Sequence, residues 1–201
     1  TPPYTIADHA ADLGGLLDAI GAGQAVLCGL SIGGLIAQEF AARHPERVRA
    51  VVLCDTAHKI GSPETWNPRI ATVQTDGIAS IADGVLERWF TPAFRTGQPA
   101  RLAGCRNMLV RQPVAGYAGS CAAVRDADLT ASTPTITAPT LVLVGDQDGA
   151  TPPDLVRSIA DMLPGAAFNI IPAAGHIPCV EQPDALVAGM RRFLSHQGLL
   201  P

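Results

Sequence analysis

One stretch constrains this chain more than any other. Ala25-Val26-Leu27-Cys28 is a short apolar run, Gly29-Leu30-Ser31-Ile32-Gly33 follows it, and helical spacing continues to about Arg43. The reading is a buried strand, a sharp turn and a helix, with the pattern G-x-S-x-G at the turn. The spacing has a steric reason. Glycines two residues either side of Ser31 let the strand and helix backbones pack closely, while the serine occupies a strained position between them. Its hydroxyl is thereby exposed at a helix N-terminus, where backbone N–H groups can stabilise a developing oxyanion. Ser31 is the candidate nucleophile.

The flanking sequence carries an α/β texture. Ile6, Ala10, Leu13, Leu16, Leu17 and Ile20 fall at helical spacing between Tyr4 and Gly21, with Thr5 and Asp8 placed as a capping box. Val48 to Asp55 is nearly all apolar, which suits a strand in a sheet covered on both faces. From 58 to 134 the pattern changes. Prolines recur at 63, 68, 92, 99, 113 and 134, with helical patterns between them, clearest at Ile78 to Phe90 and Val114 to Asp128. No convincing strand is present there, so the segment reads as a helical insertion lying over a site. Strand and helix then alternate again: Thr140 to Val144, Asp154 to Leu163, Ala167 to Ile171, and Pro183 to His196. The alternation implies a parallel sheet built from 1–57 and 135–201.

Composition narrows the classes. At 201 residues with 47% apolar and 16% charged, the chain can bury a globular core and is not of disordered type. A net charge of −4 without Lys/Arg clusters gives no reason to expect nucleic acid. No apolar run is long enough for a membrane span and no leader pattern is evident, so neither a membrane partner nor export is expected. Cys28, Cys54, Cys105, Cys121 and Cys179 are odd in number and scattered, which fits reduced thiols of a cytoplasmic protein. No metal and no cofactor are implied: the chain has no His pair at i, i+4, no Cys/His cluster and no phosphate loop.

In an open parallel sheet, functional residues gather beyond the carboxyl ends of the strands. Ser31, Asp148 and His176 each follow a predicted strand by a few residues. His176 would take the proton of Ser31, and Asp148 would orient the ring and stabilise its charge. Asp146 and Asp55 are alternative acids, Asp148 being favoured by its place just before Thr151-Pro152-Pro153. His58 lies on the same rim and reads as a surface or insertion contact. Cys179 reads as a buried structural thiol beside the site.

These residues, in the order Ser, Asp, His, resemble the α/β-hydrolases, and within them the 3-oxoadipate enol-lactonases of aromatic-compound catabolism. The likeness runs through Pro3 to Asp8, Cys28 to Leu35 and Ala41 to Val48. In the insertion it runs through Lys59 to Trp66 and Val85 to Phe94. It implies an α/β-hydrolase fold with a helical cap at 58–134, and with N-terminal strands of the family missing ahead of Thr1. The Ala25–Cys28 strand would then be an apolar edge, and a separate N-terminal segment could complete the sheet. The implied reaction is hydrolysis of an anionic lactone, 3-oxoadipate enol-lactone, through an acyl-enzyme on Ser31, with the Ile32 N–H as oxyanion donor. Trp66, Trp89 and Arg88 are the implied substrate contacts, and Arg69 and Arg125 are further candidates for the carboxylate. Where the family tends to have Asn, a small residue and Ser-Asn, this chain has Asp55, His58 and Pro178-Cys179. The same residues also suit another cap-bearing esterase or carbon–carbon hydrolase, or a truncated hydrolase fold used as a binding module.

Overall fold

The apolar runs become strands, and the strands run parallel. The structure, a computed structural model, describes residues 2–200. Among these residues β1 (Ala25–Leu30), β2 (Val48–Cys54), β3 (Thr140–Gly145) and β4 (Ala167–Ile171) form one sheet in the order β1-β2-β3-β4. Every neighbouring pair is parallel.

The most continuous apolar runs take the middle of the sheet. β3 is buried along its whole length, and β2 everywhere but Arg49. Side chains alternate between faces, so each run serves two cores. On one face Val51, Leu53, Val142 and Val144 pack with Leu17 of α1 (Ile6–Ala19) and Phe40 of α2 (Ile32–Arg43). On the other, Val52, Leu141 and Leu143 meet Leu186 and Phe193 of α10 (Pro183–His196). Each fully buried Val or Leu stabilises the fold by roughly 1.5–3 kcal/mol. β1 forms an edge of this sheet, with Val26 and Cys28 exposed, as the sequence leads one to expect.

The capping box of α1 is formed: Asp8 N–H donates to Thr5 Oγ1 at 3.1 Å, and Thr5 N–H donates back to Asp8 Oδ2 at 2.9 Å. Between β2 and β3 the chain is helical, but with more helices than periodicity alone reveals. They are α3 (Pro63–Asp76), α4 (Ala82–Trp89), α5 (Pro92–Gly97), α6 (Pro99–Val110) and α7 (Val114–Asp126). The recurring prolines at 63, 92 and 99 are the first residues of α3, α5 and α6. There the missing N–H costs nothing and φ is preset for a helix. Prolines likewise open α8 (Pro153–Met162), the one-turn α9 (Pro178–Glu181) and α10.

The expected helix from Ile78 to Phe90 is not continuous. Residues Ile78–Ser80 form a tight 3-10 turn, and α4 starts only at Ala82. Ser80 Oγ donates to the Gly77 carbonyl at 2.6 Å, and the Ile81 N–H closes onto Ile78. These local bonds compete with a regular helical ladder. Ile78, Val85 and Val73 of α3 form an apolar cluster with Leu109 of α6. No helix among the described residues is long and apolar enough to cross a membrane.

Leu143→Ala, at 1% exposure, is expected to cost about 2–5 kcal/mol in urea unfolding. Leu16→Ala, at 58% exposure on α1, should stay within about 0.5 kcal/mol of the parent.

Candidate active site

The turn after β1 holds Ser31 in a conformation that an L-residue rarely adopts, with φ 55° and ψ −119°. Such strain persists only where the surroundings impose it. Here they come from β2 and the residues after it. The Ser31 N–H donates to the Cys54 carbonyl at 3.0 Å, and Thr56 Oγ1 donates to the Ser31 carbonyl at 2.7 Å. The Ile32 N–H, in the first turn of α2, meets no acceptor among the described residues, as is usual for the first N–H groups of a helix.

Close packing at this turn uses a different glycine pair from the one the motif suggests. A Cβ on Gly29 would run into the Gly33 carbonyl, so Gly29 is required. A Cβ on Gly33 would meet nothing, whereas one on Gly34 would collide with the Thr56 side chain. The helix thus approaches the end of β2 at Gly34.

Across the sheet edge, His176 and Asp148 come together. His176 Nδ1 lies 2.9 Å from Asp148 Oδ2, and both side chains are buried. An ionised carboxylate only accepts, so Nδ1 carries the proton and Nε2 is the basic nitrogen. Asp148 is well supplied with donors. Oδ1 accepts from the N–H of Ala150 at 2.7 Å and of Thr151 at 3.0 Å, and Oδ2 accepts from Thr151 Oγ1 at 2.6 Å. Burial pushes the Asp148 carboxyl up, but the bonds from His176 and Thr151 outweigh it and hold it below its ordinary value. The supporting role of Thr151 is readable in retrospect from the Asp-x-x-Thr spacing of a side chain closing onto its own loop.

The two alternative acids do other things. Asp146 is exposed and accepts from the Ala174 N–H at 3.1 Å, tying its loop to the one that carries His176. Asp55 is fully buried, and burial pushes its carboxyl up to about 9. One oxygen of Asp55, one of Asp148 and one His176 ring nitrogen all lie within 4.8 Å of one another. Asp55, Asp148 and His176 are also the donor set that could approach a cation, but Asp148 Oδ2 is already engaged by His176 and Thr151.

The loop bearing His176 is fastened to the helical segment. The His176 N–H donates to the Trp89 carbonyl at 2.8 Å. Glu181 accepts from the Gly175 N–H with one oxygen, and from Thr91 N–H and Oγ1 with the other at 2.9 and 2.7 Å. Nothing in the sequence singled out Glu181, because its bridge reaches Thr91, 90 residues away in the chain.

Ser31 and His176 both line a cavity of about 540 Å³. Trp66, Trp89 and Arg88, expected as substrate contacts, line it as well, and so does Arg69. Trp66 is fixed by its Nε1–H on the Ile60 carbonyl at 2.7 Å, and the Trp89 ring centroid is 6.1 Å from that of His176. Arg125 is not among the lining residues; it pairs with Asp126 at 2.7 Å and bonds Asn67 at 2.9 Å on the surface. Cys179, expected as a buried thiol, is exposed on α9, where the turn buries Pro178 instead. His58 is half-buried, with Nδ1 3.5 Å from Ser158 Oγ.

A strained serine after a strand, a buried Asp–His pair after two others and a cavity between them are matched by sequence. The profile of the alpha/beta hydrolase family matches residues 1–189. The chain belongs to the alpha/beta hydrolase family. This hydrolase is 34% identical over 195 residues to 3-oxoadipate enol-lactonase 2 of Acinetobacter baylyi, covering 95% of this chain and 73% of the relative. Its fold is similar to the enol-lactonase of Burkholderia xenovorans, with a TM-score of 0.93 and 40% identity over 96% of this chain and 74% of that one. It is also similar to a thermophilic esterase of Thermogutta terrifontis, with a TM-score of 0.91 and 31% identity over 98% and 74%.

Substituting the two glycines of the hydrolase separates their roles. Gly34→Ala is expected to cost about 1–3 kcal/mol through its collision with Thr56, read as a lowered melting temperature. Gly33→Ala should match or exceed the parent's melting temperature, since Ala favours a helix by about 0.5–1 kcal/mol over Gly.

Proposed function

We propose that this protein is a serine hydrolase of carboxylic esters whose substrate is a small anionic lactone, 3-oxoadipate enol-lactone. The observation that carries the reading is the buried Asp148–His176 pair opening, with the strained Ser31, onto one cavity that also holds two arginines. The likeness to the two enol-lactonases supports the choice of lactone.

In this reading Nε2 of His176 takes the Ser31 hydroxyl proton as Oγ attacks the lactone carbonyl carbon. Asp148 stabilises the imidazolium that results, and the Ile32 N–H faces the tetrahedral oxygen. The ring C–O bond then breaks. The leaving enol oxygen takes the proton back from His176, and the enol tautomerises to the ketone. Water, deprotonated by His176, attacks the acyl-serine ester; Ser31 regains its proton and the dicarboxylate product leaves. Residues 58–134 act as a cap that walls the cavity on the side away from the sheet.

The arginines support an anionic substrate. Burial lowers the pKa of Arg88, and the nearby charge of Arg69 lowers it further. A substrate carboxylate between them would relieve that repulsion and accept charged hydrogen bonds. Arg69 also stacks on Trp66, its Cζ 4.9 Å from the ring centroid, so the guanidinium is held at the cavity wall. The likeness to the Thermogutta esterase supports a second reading, a broader ester hydrolase.

Enol-lactone hydrolysis followed at neutral pH tests the nucleophile. Ser31→Ala is expected to lower kcat on the order of 10⁵-fold or more, and unchanged turnover would reject Ser31. Arg69→Met should raise KM for the lactone by about 10–100-fold while leaving a neutral p-nitrophenyl ester nearly unaffected. Equal effects on both substrates would favour the broader esterase. A parent protein that turns over neither would favour a binding role.

A further inference from the structure

Asp55 is a buried carboxyl that the Ser–Asp–His reading leaves without a task. It follows β2 directly, has no exposed surface, and adopts a left-handed φ of 48°. Its N–H donates to the Leu143 carbonyl and its Oδ1 accepts from the Gly145 N–H, each at 2.9 Å. Its Oδ2 has no hydrogen-bond partner among the described residues. A buried carboxylate with one donor is poorly supported, and the charges that reach it, Asp148 and Glu181, are both negative. The other titratable groups around it are His176, Cys54 on β2 and Cys179 on α9.

Two buried carboxyls this close do not both ionise. The donors decide which one keeps its charge. Asp148 accepts bonds from the N–H groups of Ala150 and Thr151, from Thr151 Oγ1 and from His176, whereas Asp55 accepts one. We propose that Asp55 is a positioning residue that stands protonated at neutral pH and donates its carboxyl O–H to Asp148. That single proton satisfies the orphaned oxygen of Asp55 and gives Asp148 a further donor. The pair then presents one negative charge to His176. Once Asp55 ionises, two like charges face each other beneath the ring, and the Asp148–His176 geometry loosens.

The consequence for stability has a definite sign. Burial, then the Asp148 charge, raise the Asp55 carboxyl in the folded protein to about 9, while in the unfolded chain it titrates near 4. Between these values the folded protein holds a proton that the unfolded chain releases, so stability falls as pH rises. Asp55→Asn cannot titrate and keeps an N–H donor toward Asp148. Its melting temperature is expected to pull ahead of the parent's progressively from pH 4 to about pH 9 and to level off above that. A constant difference across this range would overturn the proposal.

The kinetic arm rests on the Ser–Asp–His reading, and the stability arm does not. With a p-nitrophenyl ester, the parent should lose kcat on an alkaline limb near pH 9 with KM little changed. Asp55→Asn should lack that limb, and Asp55→Leu, which has no donor, should show kcat lower by about 10–100-fold at all pH values. An alkaline limb identical in the parent and Asp55→Asn would overturn the positioning role. If Asp55→Asn does not fold, infrared difference spectra of the parent decide instead. They should show the carbonyl stretch of a protonated carboxyl at pH 7 that vanishes by pH 10, and its absence at pH 7 would overturn the proposal.

Discussion

The site depends on how closely one helix can lie against the end of one strand. Gly34 of α2 sits where any Cβ would strike Thr56, and Thr56 in turn donates to the Ser31 carbonyl. The same approach lets the Ser31 N–H reach the Cys54 carbonyl. These contacts hold the serine at a positive φ. Backbone strain of this kind costs of order 1–3 kcal/mol and is sustained only by packing on both sides. Here the packing is supplied by a sheet whose central strands are buried on both faces.

The parallel sheet also explains why the chemistry gathers at one end. Ser31, Asp55, Asp148 and His176 all follow the carboxyl ends of strands that point the same way. Two of these residues are buried carboxyls, and their surroundings differ. Asp148 sits in a loop that folds its own N–H groups and Thr151 hydroxyl back onto it, so it stays charged beside His176. Asp55 sits where the sheet closes around it and receives one N–H. Equal chemistry in unequal surroundings thus yields one anion and one neutral acid.

The helical segment is joined to the end of the sheet that carries His176 by hydrogen bonds as well as by apolar contact. Trp89 offers its carbonyl to His176, and Glu181 bridges Thr91 to Gly175. The histidine loop and the cavity wall above it are therefore one connected structure.

Much of this was legible in the residues. The elbow, the apolar strands and the capping box of α1 follow from local sterics and side-chain period, which act over a few residues. The choice of Ser31, Asp148 and His176 rested on their places after strands, and the structure brings Asp148 and His176 into contact. Other features were decided only by tertiary structure. That the recurring prolines at 63, 92 and 99 are the first residues of helices was one of them, because a missing N–H is harmless at the first turn and the sequence does not say which turn that is. Gly34 rather than Gly33 proved to be the close contact, Cys179 proved exposed, and Glu181 proved to tie two distant segments together. Each of these is set by neighbours far away in the chain, and the burial and hydrogen bonds of a group exist only once those neighbours have been brought to it.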